Sequence, residues 1–227
     1  PPLPASAVRD WETFSGKPLT LREFLGEVFV PPRPYPTMEA ILRQHRLLVI
    51  QGPPGIGKYS CALALARSLR KTQEGLGEHL LEGDIPPAEI AGRHDQILIW
   101  RHPFGESTFA PPCLADRPDL LEEALARNCF LILTTPTPPL ELALASTALG
   151  WWPPLAEARV SLERPDYTDE AVAEVLDRHA RTACHQGWIT PRQRELLADP
   201  ARRLELAMAF PFMSVSYTHL RAHETPE

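Results

Sequence analysis

The chain has 227 residues, of which 44% are apolar and 23% charged, with a formal net charge of -6. That size suits one soluble α/β domain with a substantial core and a small helical appendage, the mild acidity gives no reason to expect nucleic acid as main partner, and no apolar run approaches a bilayer span. Cys61, Cys113, Cys129 and Cys184 form no C-x-x-C pair, and with no signal peptide visible they read as reduced thiols of a cytoplasmic protein.

Prolines cluster at Pro1 to Pro4, Pro31 to Pro36, Pro111-Pro112, Pro136 to Pro139 and Pro153-Pro154, and these clusters set the element boundaries. The chain starts at Pro1 rather than Met, so its natural N-terminus is expected upstream. Residues 1–18 carry little pattern and read as an arm. From Leu19 to Val30 the spacing of Leu21, Phe24, Leu25 and Val28 predicts a short amphipathic helix. Phe29-Val30-Pro31-Pro32-Arg33-Pro34-Tyr35-Pro36 then reads as a rigid extended stretch, and Met38 to Gln44 as a helix.

The next stretch organises the rest. Leu47-Leu48-Val49-Ile50-Gln51 is an apolar run of strand length, Gly52-Pro53-Pro54-Gly55-Ile56-Gly57-Lys58 is a Gly-rich turn, and Tyr59-Ser60-Cys61 opens a helix reaching Arg70. The spacing from Gly52 to Gly57-Lys58 fits the phosphate loop G-x-x-x-x-G-K. Glycines let successive N–H groups point inward, the helix adds its positive end, and the lysine reaches the β- and γ-phosphates as a mobile charge. The alternative is a Gly-Pro loop with a chance lysine. One position departs from the pattern: Tyr59 stands where a Ser or Thr hydroxyl would ligate the Mg²⁺ of the nucleotide. Ser60 is no simple substitute, because one helical step turns a side chain by about 100°. Nucleotide binding is thus better supported than Mg²⁺-dependent hydrolysis, unless a misread base lies behind Tyr59. In many P-loop proteins the segment before the first strand covers the base, which makes Phe29, Val30 and Tyr35 candidates for base contact; the alternative is that they pack a proline loop onto the core.

Downstream, His79 to Glu82 reads as a short strand, Gln96 to Trp100 as a firm one, Asp119 to Arg127 as a helix with Asp116 as cap and Asn128 as stop, and Phe130 to Leu133 as a third buried strand. Pro139 to Leu149 reads as a helix and Arg159 to Leu162 as a last strand. Strands alternating with helices predict an α/β fold with a largely parallel, doubly wound sheet. Beyond Pro165 the chain turns helical: Thr168 can cap a helix in which Val172, Val175, Leu176 and His179 share one face, with further helices starting near Pro191 and Pro200. His179 reads as a packed core histidine. Val215 to Thr225 can be back-translated into a transposase-based sequencing adapter, so residues 214–227 are expected to be read-through without evolved fold, and His219, His223 and Glu224 are rejected as metal ligands. The natural protein is expected to continue past this point with other sequence.

Taken in order, Val28-Phe29-Val30-Pro31-Pro32, the phosphate loop, Pro103-Phe104-Gly105 after a strand, Leu131-Ile132-Leu133-Thr134-Thr135 and Tyr167 to His179 resemble the STAND class of P-loop NTPases. The nearest match is the third "novel STAND" clade, found in multidomain bacterial defence and signalling proteins. The resemblance implies a P-loop NTPase three-layer sandwich with a largely parallel sheet over residues 19–165, followed by a small helical lid over residues 166–213. It also implies ATP or ADP as ligand, protein partners or fused domains outside this chain, and an acidic strand end that holds Mg²⁺.

By position that acidic site falls on Arg101-His102, and neither residue is acidic. Glu106 is the candidate for activating water, against a plain solvated loop glutamate; Glu82 and Asp84 are a runner-up carboxylate pair, one strand too early in the family order. Thr134 and Thr135 occupy the phosphate-sensing position, without the arginine that often follows there. These departures leave a cradle able to bind ATP or ADP, a Mg²⁺ requirement left open, and hydrolysis slow or absent, with Arg101 able to replace part of the metal's charge. Three readings follow: a nucleotide-dependent switch in a larger protein, a scaffold that keeps the fold without the nucleotide, and an active ATPase with read errors at Tyr59 and His102.

Overall fold

The computed structural model describes residues 21–83, 89–90, 92–106, 118–146 and 152–185. The predicted arm, Asp84, Cys113, the Asp116 cap, the helices near Pro191 and Pro200 and the tail from Ser214 lie outside the described residues, as does the side chain of Cys184. The chain divides into two compact units, one holding described residues 21–30 and 168–185, the other residues 31–167.

In the larger unit the elements run α2 (Tyr35–His45), β1 (Leu47–Gln51), α3 (Lys58–Thr72), β2 (Gly77–Glu82), β3 (Gln96–Arg101), α4 (Pro118–Ala126), β4 (Phe130–Thr135), α5 (Thr137–Ser146), α6 (Pro153–Glu157) and β5 (Arg159–Ser161), then a 3-10 turn at Arg164–Asp166. The five strands form one sheet in the order β2-β3-β4-β1-β5, and every neighbouring pair is parallel. Parallel neighbours require crossover connections, and helices in most of the gaps supply them. Register then fixes the site: Glu82 pairs with Arg101, Arg101 with Thr134, and Thr134 with Ile50, so the carboxyl ends of four strands stand in one row. Open parallel sheets bind ligands at that edge.

Side chains alternate along a strand, and this sheet buries both faces. Leu47, Val49, Leu98, Trp100, Leu131 and Leu133 share one core with Leu121 of α4, Leu140 of α5 and Leu155 of α6. The opposite parity, including Leu48, Ile50, Ile97, Ile99 and Ile132, is equally buried. Helix α3 packs against β1, β3 and β4, and its buried Cys61, Ala62, Leu65, Ala66 and Leu69 lie outside the first core, which gives helix, sheet and helix layers.

Local differences from the sequence expectation have physical causes. Helix α2 begins at Tyr35, inside the stretch read as extended, because Pro36 sits in its first turn, where a missing N–H costs nothing and φ is already helical. Thr134 and Thr135 are the last two residues of β4 and are buried, so they belong to the strand rather than to a loop after it. Helix α5 starts at Thr137, two residues before Pro139, and the short α6 was not predicted. The stop at Asn128 is a left-handed residue at φ 60, as its side chain tolerates.

In the smaller unit α1 (Leu21–Val28) packs on α7 (Asp169–His185), and Thr168 Oγ1 accepts the Ala171 N–H at 3.1 Å, the predicted cap. His179 is buried with Nδ1 2.8 Å from the Val175 carbonyl, as expected of a packed histidine. Among the described residues no helix is long and apolar enough to cross a membrane.

Candidate functional site

β1 delivers the chain to the carboxyl edge of the sheet, where it must reverse into α3 within six residues, Gly52 to Gly57. Gly55 at φ 74 and Gly57 at φ 96 adopt left-handed backbone, and Gly57 is the residue from which α3 springs. Gly52 is required for a second reason, close approach: a Cβ there would lie 2.2 Å from the Leu162 carbonyl oxygen, just past β5. Pro53 and Pro54 form the exposed tip, and Ile56 is buried beneath it.

Lys58 folds back over this turn. Its Nζ donates to the carbonyls of Gly52 at 2.9 Å and Pro53 at 2.8 Å, and burial lowers its pKa to about 8. The turn therefore presents a cation, the start of a 15-residue helix and a backbone that only glycine permits, which is the cradle a phosphate chain needs.

A residue that sequence reasoning missed braces the far side of the turn. The Tyr167 hydroxyl donates to the Ile56 carbonyl at 3.0 Å, and a Cβ at Gly57 would meet that hydroxyl at 2.9 Å. Burial, together with the neighbouring Cys61, raises the Tyr167 pKa, so the phenol stays a donor; burial also pushes the Cys61 thiol up to about 12. The turn is thus held by Leu162 at its first glycine and by Tyr167 at its last. The only sequence signal was Tyr167's place at the start of the helix resembling the family's.

The strand row brings the other candidates to the same edge. Arg101 ends β3, and its guanidinium carbon lies 4.7 Å from the centre of the Tyr59 ring, a cation–π contact, while Nη1 pairs with Glu82 Oε1 at 3.0 Å. Glu82 had looked one strand too early, yet β2 lies directly beside β3 and places it against Arg101. His102 takes a left-handed φ of 53, and its backbone N–H donates to the Thr134 carbonyl at 2.8 Å. Burial, then the charges of Arg101 and Lys58, hold its pKa below the usual histidine value against the opposing pull of Glu106 and Glu82. Its Nδ1 and Gln51 Oε1 are buried polar atoms without a hydrogen-bond partner among the described residues. Thr135 Oγ1 donates to its neighbour's carbonyl, Pro136, at 3.2 Å.

Glu106 is exposed after the Pro103–Gly105 turn, and Ser60 lies half-buried in the first turn of α3. Phe29 and Val30 belong to the smaller unit and Tyr35 to the larger. Tyr35 lies within α2, where burial, then Glu39 and Cys61, raise its pKa to about 12.

The residues fit a nucleotide's phosphates: a glycine turn, a buried lysine and an orphaned imidazole nitrogen share one edge. They do not fit its Mg²⁺. The position after the lysine carries a phenol against a cation and the strand-end position carries that cation, so neither supplies the hydroxyl or carboxylate such an ion takes.

Among solved structures, the chain is similar to Caenorhabditis elegans PCH-2, at 15% identity and a TM-score of 0.40, over 73% of this chain and 50% of that one. It is also similar to a RuvB variant of Thermotoga maritima, at 15% identity and a TM-score of 0.38, over 75% of this chain and 58% of that one. It thus spans half the length of the first and little more than half that of the second. No curated protein matches in sequence. The family model described as novel STAND NTPase 3 matches residues 29–182. With that match over most of its length and a parallel sheet that delivers a glycine turn and lysine to its carboxyl edge, the chain belongs to the novel STAND NTPase 3 family and is a nucleotide-binding P-loop NTPase module.

Proposed function

We propose that this module binds ATP or ADP and that its occupancy is a conformational switch within a larger cytoplasmic signalling or defence protein, with hydrolysis slow or absent. One observation carries the reading: the glycine turn holds Lys58 against its carbonyls and is braced by Tyr167, while the positions that would hold metal and activate water carry Tyr59, Arg101 and His102. Lys58, the backbone from Gly52 to Gly57 and the start of α3 at Tyr59-Ser60 would hold the phosphates, and Thr134 or Thr135 would sense them through a hydrogen bond. Little remains to accelerate phosphoryl transfer, which depends on positioned charge and an oriented water. The brace supports a switch as well, because Tyr167 is followed in the chain by Thr168, where the helical unit begins. A phosphate that reshapes the Ile56–Gly57 backbone would disturb the bond that fixes Tyr167.

Titrating a fluorescent ATP analogue into the full chain, beside Lys58→Ala, tests this. Saturable binding lost in the variant, with no phosphate release above the buffer rate, is the expected result. No binding by the folded chain would refute it and leave a scaffold; Mg²⁺-stimulated phosphate release would instead make the module an active ATPase.

A further inference from the structure

The two positions at which this site departs from a Mg²⁺ site are in contact with each other. Tyr59 follows the phosphate-loop lysine, Arg101 ends the strand that should carry the acid, and the guanidinium lies over the phenol ring at 4.7 Å. Either change alone would leave a defective metal site, whereas together they build something else. A guanidinium is planar, stacks on an aromatic face and keeps edge donors free for phosphate oxygens. Glu82 takes Nη1 at 3.0 Å from the neighbouring strand, so the group is held by the ring on one side and the carboxylate on another. The Arg101 side chain keeps 29% of its surface exposed, so the remaining donors are reachable.

Lys58 and Arg101 are two cations, and of the carboxylates at this edge Glu82 is 59% exposed and Glu106 exposed, so both are well solvated. The fields of Lys58 and Arg101 converge on the His102 ring, which each of them disfavours from protonating.

We propose that the Arg101 guanidinium, laid on Tyr59 and tethered by Glu82, stands in place of the divalent cation, so that this loop binds a nucleoside polyphosphate without metal. The proposal rests on the nucleotide-binding reading above and adds the counter-ion. Arg101 would take the β- and γ-phosphate oxygens that a metal ion would bridge, and Tyr59 would hold the guanidinium.

The test is titration of N-methylanthraniloyl-ATP into the full chain, once in excess EDTA and once in millimolar Mg²⁺, with thermal unfolding of each variant as the folding control. Affinity in EDTA is expected to equal or exceed that in Mg²⁺, since a Mg²⁺ ion carried by the nucleotide occupies the same β- and γ-phosphate oxygens as Arg101. Arg101→Ala should weaken binding about tenfold or more in EDTA, and Arg101→Lys should recover only part because it loses the fork and the stacking. The combined change Tyr59→Ser, Arg101→Asp and His102→Asp should make binding depend on Mg²⁺. A loss of more than about tenfold on adding EDTA to the unaltered chain, or an unchanged affinity in folded Arg101→Ala, would overturn the guanidinium role while leaving nucleotide binding in place. Absence of binding in both buffers by the folded chain would overturn the nucleotide reading itself.

Discussion

If Lys58 meets the nucleotide's phosphates, as proposed, nucleotide affinity should depend on pH around the lysine's lowered pKa. Its ammonium is buried against the carbonyls of Gly52 and Pro53, and burial lowers its pKa to about 8, well below the ordinary lysine value. A phosphate binds the charged form, so affinity follows the charged fraction of the free protein. That fraction is roughly nine-tenths at about pH 7 and one-tenth at about pH 9, which weakens binding about tenfold, or about 1.4 kcal/mol. The sign is fixed: a bound phosphate raises the lysine's pKa, so binding takes up a proton, and affinity is lost as pH rises through the free value. The terminal phosphate of the ligand is already ionised above about pH 7 and does not compete for this effect. Isothermal titration in two buffers of different ionisation enthalpy at about pH 9 should show an uptake of close to one proton per nucleotide. Lys58→Arg supplies the control, because a guanidinium does not titrate here and whatever affinity remains should be flat with pH. An unaltered chain whose affinity is constant from about pH 7 to pH 9.5 would refute the argument, since it would mean that Lys58 carries its ordinary pKa or does not meet the phosphate.

Three further outcomes follow from the packing and the titrating groups. Gly52→Ala drives a Cβ to 2.2 Å from the Leu162 carbonyl, a backbone atom that cannot swing away, and should destabilise the fold by about 2–4 kcal/mol, read as a lowered urea midpoint. Tyr167→Phe removes only the hydroxyl that holds Ile56; a loss of about 1–2 kcal/mol is expected, together with weaker nucleotide binding, and a variant equal to the parent in both would show that the brace is idle. His102 and His179 are both held neutral, each chiefly by burial, so below about pH 6.5 the unfolded chain takes up protons that the folded chain refuses. Stability should therefore fall as pH drops through that range, and His179→Leu should flatten the slope of midpoint against pH.

What the sequence disclosed depended on how local the cause was. The phosphate loop was legible because three glycines, a lysine and the apolar run before them act within a dozen residues, and the Thr168 cap and the Asn128 stop were legible for the same reason. Proline in the first turn of α2 misled, because the residue type that enforces extension before it also suits a helix start after it. Strand order was out of reach, since β2 is second in the chain but lies at the sheet edge, next to β3. That gap hid the role of Glu82, which chain order set aside and register places against Arg101. Tyr167 was invisible for a stronger reason: 111 residues separate it from Ile56, and a lone tyrosine before a helix carries no pattern.

The same distinction bears on the proposal that this module keeps a phosphate-binding turn beside positions that hold no metal. The turn from Gly52 to Gly57 is determined by backbone: left-handed glycines, a Leu162 carbonyl too close for any side chain, and a Tyr167 hydroxyl on the Ile56 carbonyl. Losing any one of these would be felt as lost stability, whatever the ligand. The metal positions are determined by side-chain chemistry alone, at an edge where Tyr59 and Arg101 are only partly buried and satisfy each other. Exchanging ligands for that pair disturbs no core residue and leaves no buried charge without a partner, so folding exerts no pressure against it. It follows that substitutions at Tyr59, Arg101 and His102 should alter nucleotide affinity and its metal dependence while the unfolding midpoint stays nearly where it was.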